Sequence, residues 1–186
     1  MTQLAKIHFL GGVGTVTGSK FLIDLQEKKI LIDCGVFQSL KELREQNWQE
    51  LPFNASLIDV VLLTHGHLDH VDYLPRLVQQ GFSGKIIGTA PTLAIAEIIL
   101  NDSAKIYEEE AEKANKEKYT KHQPALPFFT KKDVEKTISF FESNQEDKWI
   151  SLSENIKYRF QYNGHIIGAT FIELDIYSKR FVFSGD

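Results

Sequence analysis

The stretch His65-Gly66-His67-Leu68-Asp69-His70 constrains this chain most, because it places four side chains able to bind a metal within six residues. It follows Asp59-Val-Val-Leu-Leu-Thr64, an apolar run too short for a helix, which reads as a strand buried on both faces. In an extended segment side chains two apart point the same way, so His65 and His67 can offer ring nitrogens to one ion. Asp69 and His70 come after the chain turns and face a neighbouring position. Histidine and aspartate without thiolate suit zinc, manganese or iron. The competing reading is a polar loop that merely contains histidines, yet three of the six histidines in the chain fall in this one segment.

Upstream, Lys6 to Leu10 predicts a first strand, followed by the glycine-rich loop Gly11-Gly-Val-Gly-Thr-Val-Thr-Gly-Ser19. A phosphate-cradling loop would end Gly-Lys-Ser/Thr, whereas Gly18 is followed by Ser19 and then Lys20. The dinucleotide pattern also fails, since Thr17 stands where its third glycine belongs, so the loop reads as the edge of a cleft. Residues 20–33 read as a hairpin turning at Glu27-Lys-Lys29, and Asp33 ends it, either as a turn carboxylate or as a partner for a ligand histidine.

Downstream, the pattern predicts short helices at Lys41–Trp48 and at Val71–Gln80, the latter interrupted or restarted near Pro75, and a strand at Lys85–Gly88. Pro91 opens a longer helix in which Ile95, Ile98, Ile99 and Ile106 recur at helical spacing, with a charged and solvated continuation from Glu108 to Tyr119. His122 sits in a proline-containing loop and reads as a surface residue. Lys131–Glu142 reads as a helix with Val134, Ile138 and Phe141 on one stripe. Three strands follow, at Tyr158–Tyr162, Thr170–Ile176 and Phe181–Phe183. No repeat or linker divides the chain, so a single domain is expected over residues 1–186.

Composition bounds the setting. The 186 residues, 42% hydrophobic and 25% charged, suffice for one sizeable core. No apolar run reaches the roughly 18 residues of a membrane span, and Met1 to Leu10 lacks the pattern of a secretory signal, so a cytoplasmic location is expected. The lone Cys34 excludes an internal disulfide and reads as a small buried side chain. A net charge of −4 does not mark a nucleic-acid binder. Two divalent cations would reverse the sign inside a cleft and attract a phosphate backbone there.

A second ligand group lies far along the chain. His165, in Asn163-Gly-His-Ile-Ile-Gly168, taken alone is a polar loop residue. Beside an existing histidine pair it becomes the natural third nitrogen, leaving the fourth position of a tetrahedral ion to water. Asp186, in Ser184-Gly-Asp186, follows a short strand and offers a carboxylate of the kind that bridges two metals. As a terminal residue it is expected to fray, so the chain reads as stopping early.

These residues together resemble the metallo-β-lactamase superfamily, whose His-x-His-x-Asp-His signature is matched by His65, His67, Asp69 and His70. The chain looks most like the β-CASP RNA-processing branch, relatives of the nuclease subunit of the pre-mRNA cleavage and polyadenylation factor. The stretches Gly11–Ser19, Leu31-Ile-Asp-Cys-Gly-Val-Phe-Gln38 and His67-Leu-Asp-His-Val-Asp-Tyr-Leu-Pro75 carry that likeness, with the mostly helical insertion from Pro91 to Glu142.

The resemblance implies an α/β fold, an αβ/βα sandwich present only as its amino-terminal portion, a mixed sheet with flanking helices. It implies that His65, His67 and His165 bind a first zinc, Asp69 and His70 a second, that Asp186 bridges them, and that Asp33 orients a ligand. Asp69, His70 and Asp33 would then be the catalytic group. The implied reaction is attack of a dizinc-bound hydroxide on an RNA phosphodiester, by internal or terminal cutting of single-stranded RNA. Family members continue past this aspartate into the β-CASP domain and return to finish the sandwich. The short chain is therefore expected to have a weakened second metal site, little or no nuclease activity, and an exposed apolar edge that favours self-association. The alternatives are another hydrolase of the same fold, of thioesterase or lactonase type, and an inactive module that binds RNA or a partner protein.

Overall fold

The amino-terminal hairpin seeds a sheet. In the computed structural model, which describes residues 5–186, strand β1 (Lys6–Gly11) pairs antiparallel with β2 (Lys20–Asp24), and β2 pairs antiparallel with β3 (Lys29–Ile32). Residues 1–4, part of the stretch searched for a secretory signal, lie outside the described residues. Strands β4 (Val60–Leu62), β5 (Lys85–Gly88) and β6 (Phe141–Ser143) then add in parallel, giving the order β1-β2-β3-β4-β5-β6.

Parallel neighbours need crossover connections, and helices supply them. They are α1 (Lys41–Gln46), α2 (Leu68–Val71), α3 (Leu74–Gln79), α4 (Ala90–Glu117) and α5 (Lys131–Ile138). A second, antiparallel sheet follows, built from β7 (Ile150–Ser153), β8 (Ile156–Tyr162), β9 (Thr170–Ile176) and β10 (Lys179–Phe183) in the order β10-β9-β8-β7.

The burial pattern explains the layering. β4 is buried at every residue, as a strand covered on both faces must be, while β9 alternates between buried and half-buried residues along its length. Ile30, Ile32 and Leu62 of the first sheet meet Tyr158, Phe160 and Ile172 of the second in one apolar seam. The other face of the first sheet packs Leu31, Val61 and Ile86 against Leu74, Leu77 and Val134 of the helices. No described helix is long and apolar enough to cross a membrane.

Four expectations change. Only part of the isoleucine stripe of α4 reaches the core: Ile95 and Ile99 are half-buried, Ile98 and Ile106 are exposed, and Leu93, Ala96, Leu100 and Ala104 are the buried residues. The helix expected at Lys131–Glu142 stops at Ile138, and Phe141 joins β6, where pairing with β5 outweighs its helical spacing from Ile138. The helix expected from Val71 starts earlier, at Leu68, and its expected restart near Pro75 falls at Leu74, after a break at Asp72–Tyr73. β7 was not expected at all; it is a short strand of mixed burial.

Candidate metal centre

Because β3 and β4 are parallel and in register, with Ile32 opposite Leu62, the residues that leave their carboxyl ends are brought together. Asp33 follows β3, and Thr64 and His65 follow β4. Sheets of this kind gather ligands at that end. The backbone stays extended to His67, which caps α2, so Asp69 and His70 fall on the first helical turn. The carbonyls of so short a helix lack helical partners. Neighbours take them: the Ser19 N–H donates to Asp69 O at 2.9 Å and the Cys34 N–H to His70 O at 2.7 Å. The metal-binding turn is thus clamped between the loops that follow β1 and β3.

The remaining candidate ligands come from the second sheet. His165 sits in the β8–β9 loop and Asp186 follows β10, and the Asn163 side chain ties the two segments by donating to the carbonyls of Ser184 and Asp186 at 3.1 and 2.9 Å. The ring nitrogens converge: His67 Nδ1 lies 3.0 Å from His65 Nε2 and 3.1 Å from His165 Nε2. Three ligands at zinc–nitrogen distances around a tetrahedral ion would stand roughly 3.3 Å apart. The trio therefore fits one ion with little movement.

Asp186 reaches both groups. Its Oδ2 lies 3.8 Å from the Nε2 atoms of His65 and His165, while its Oδ1 lies 3.4 Å from His70 Nε2. Asp69 stands 3.9 Å from the same His70 nitrogen. The side chains fall into two potential ion sites, one formed by His65, His67, His165 and Asp186, the other by Asp69, His70 and Asp186. Every residue that the sequence singled out as a ligand is in this cluster. Asp186 is drawn into it with half its surface exposed.

Asp33 supports the cluster from below. Buried and held at φ 55°, it accepts hydrogen bonds from the Thr64 N–H at 2.8 Å, the Ser19 hydroxyl at 3.2 Å and His70 Nδ1 at 2.7 Å. A non-glycine residue in the left-handed region is unfavourable and persists where its surroundings over-determine it. Of the two readings open for Asp33, the geometry is that of a partner to a ligand histidine.

Protonation favours ligation at His65, whose imidazole is pushed down to about 4 by burial and then by the neighbouring His70. A neutral ring keeps a lone pair for a cation. For His70 burial opposes the charged form, but the Asp33 carboxylate and its hydrogen bond, with Asp69 and Asp186, raise it above its ordinary value.

His122 is exposed in the loop after α4, in keeping with its reading as a surface residue. Cys34 is fully buried and its thiol is pushed up to about 12, chiefly by that burial, which makes it inert rather than nucleophilic. Sequence reasoning missed Thr64, Ser19 and Asn163. The signal for Thr64 was a lone hydroxyl closing an apolar run directly before a ligand.

Lys20 is a further buried group behind the site. Its ammonium donates to the Gly35 carbonyl and stands 4.7 and 5.1 Å from the ring centroids of Phe37 and Tyr73. Burial pushes this amine down to about 8, and the nearby Cys34 only partly offsets that. The unfolded chain therefore binds more protons than the folded one between about pH 8 and 10.5, so wild-type stability gains from this group as pH rises through that window. Relative to Lys20→Met, wild type should gain about 2 kcal/mol between pH 7 and 9.5. Urea unfolding of both proteins at the two pH values checks this, and the comparison cancels groups common to both.

Residues 13–120 match the family model described as the metallo-beta-lactamase superfamily. Ribonuclease TTHA0252 of Thermus thermophilus is 32% identical over 176 residues, covering 95% of this chain and 36% of that protein. Endoribonuclease YSH1 of Candida glabrata is 27% identical over 178 residues, covering 95% of this chain and 22% of that protein. Transcription termination factor FttA of Methanocaldococcus jannaschii is 27% identical over 171 residues, covering 92% and 25%. The chain thus spans about a third or less of the length of these relatives. Among solved structures, a metallo-beta-lactamase from Cronobacter sakazakii superposes with a TM-score of 0.54 at 19% identity, over 96% of this chain and 63% of that one. That likeness speaks to the fold.

Proposed function

Since the chain belongs to the metallo-beta-lactamase superfamily, we propose that it carries the metal-binding part of an RNA-processing nuclease and serves hydrolysis of RNA phosphodiesters. The observation that carries the reading is the convergence of His65, His67 and His165 on one point, with Asp186 turned between them and His70. The names of the curated relatives, a ribonuclease, an endoribonuclease and a transcription termination factor, support the RNA substrate and agree with the β-CASP resemblance.

In this reading His65, His67 and His165 would hold a first zinc ion and Asp69 and His70 a second, with Asp186 placed to serve either; manganese or iron would suit the same donors. Two divalent ions so placed supply water acidified toward neutral pH and positive charge against the phosphoryl oxygens. The protein does the rest. Asp33 fixes the His70 ring by accepting a hydrogen bond from its Nδ1–H, which aims Nε2 at the site. Asn163 keeps the His165 loop against the segment that bears Asp186. The cleft beside Asp33, Thr64, His70 and Asp186 encloses about 400 Å3 and is walled by Phe9 and Phe21, room for a nucleotide next to the ligands.

The test is elemental analysis of the purified chain with a single-stranded RNA cleavage assay. One firmly held ion and a second held more weakly are expected per chain, with weak or no cutting by the 186-residue chain itself. A chain that retains no divalent ion after loading would overturn the reading.

A further inference from the structure

We infer that the Thr64 hydroxyl is a positioning residue shared by both ligand groups, setting the ring tautomer of His65 directly and that of His70 through Asp33. The inference rests on the metal-binding reading above and deepens it. Thr64 is buried, and its Oγ1 lies 3.0 Å from His65 Nδ1, 3.0 and 2.9 Å from the two Asp33 oxygens, and 3.4 Å from His70 Nδ1.

A hydroxyl has one proton to give and two lone pairs, and a carboxylate can only accept. The Thr64 proton therefore goes to Asp33. Its lone pair is left to accept from His65 Nδ1–H, because no other donor to that oxygen lies closer. His70 Nδ1, nearer to Asp33 Oδ2 at 2.7 Å than to Thr64, donates to the carboxylate. Both rings thus carry hydrogen on Nδ1 and turn Nε2 toward the two potential ion sites.

The same side chain meets the third ligand segment. A Cβ at Gly185 would stand 3.0 Å from Thr64 Cβ and 3.2 Å from Oγ1, so the glycine lets the strand end carrying Asp186 settle onto the threonine. One side chain therefore touches, or acts through one partner on, three segments of the cluster: Asp33, the His65–His70 turn and the strand end that carries Asp186. Loss of its hydroxyl should be felt at both ion sites, unlike loss of any histidine of the cluster, which should fall on one.

Thr64→Val removes the hydroxyl and keeps the shape; Thr64→Ser keeps the hydroxyl. Zinc affinity, read by competition with a chromophoric chelator on the full 186-residue chain, should fall roughly tenfold to a hundredfold for both ions in Thr64→Val and recover in Thr64→Ser, the usual scale for partners of ligand histidines. Nitrogen NMR of the zinc-free histidine rings should show Nδ1–H at His65 in wild type and Thr64→Ser, and a mixture of tautomers in Thr64→Val. Should Thr64→Val not fold, Thr64→Ala carries the same expectation. A folded hydroxyl-less variant with wild-type affinity and an unchanged His65 tautomer would overturn the inference. If wild type itself binds no zinc, the functional reading fails, and the ring spectra still decide the role of Thr64.

Discussion

His67→Ala should lower the affinity for the first divalent ion by two to three powers of ten, while His122→Ala leaves it unchanged. Four-ligand zinc sites bind with about 10–16 kcal/mol, so one ligand carries roughly 3–4 kcal/mol of that. His67 stands centrally, its Nδ1 facing both His65 and His165, and no other nitrogen is placed to replace it. His122 is on the exposed loop after α4 and controls for the loss of an imidazole as such. Chelator competition on the two variants measures the difference; equal losses would mean that the nitrogens do not share an ion.

Gly35→Ala should cost about 4 kcal/mol or more, among the largest effects a single methyl can have. A Cβ there would lie 1.6 Å from Asp69 O and 2.4 Å from His70 N, backbone atoms that cannot swing aside. The residue is further held by its N–H to Ser19 O at 3.1 Å and by Lys20 on its carbonyl. Relief would require lifting the metal-binding turn from the sheet, and domains are stable by only about 5–15 kcal/mol in total. Urea unfolding should show a large drop in midpoint, accompanied by loss of zinc binding. Gly14→Ala, where a Cβ meets nothing within 4 Å, should cost only the left-handed backbone penalty of about 1–2 kcal/mol.

The contrast between these sites shows what the sequence made legible. The clustering of the candidate ligands could be read because their chemistry is rare and their spacing on an extended segment fixes direction: His65 and His67 do present nitrogens to the same point. Asp33 was left between two roles because only the parallel register of β3 with β4 places it beneath His70, and register is a property of the sheet. The buried face of α4 was misread for a related reason. Helical spacing says which residues share a stripe but not which stripe meets the core, and here the buried one runs through Leu93, Ala96, Leu100 and Ala104, with Ile99 at its margin. Phe141 fell to β6 because a free edge of β5 offered it hydrogen bonds that no helical continuation could match.

The ligands are drawn from both layers of the fold, His65 to His70 from the end of β4 and His165 with Asp186 from the ends of β8 and β10. Those layers are joined behind the cluster by an N–H of Thr170 donating to the carbonyl of Thr64 at 2.9 Å. An ion seated in front of that bond would act as a rivet through the sandwich, tying together two sheets otherwise held mainly by oily contact. Catalytic competence and the cohesion of the two halves would then rise and fall with the same occupancy.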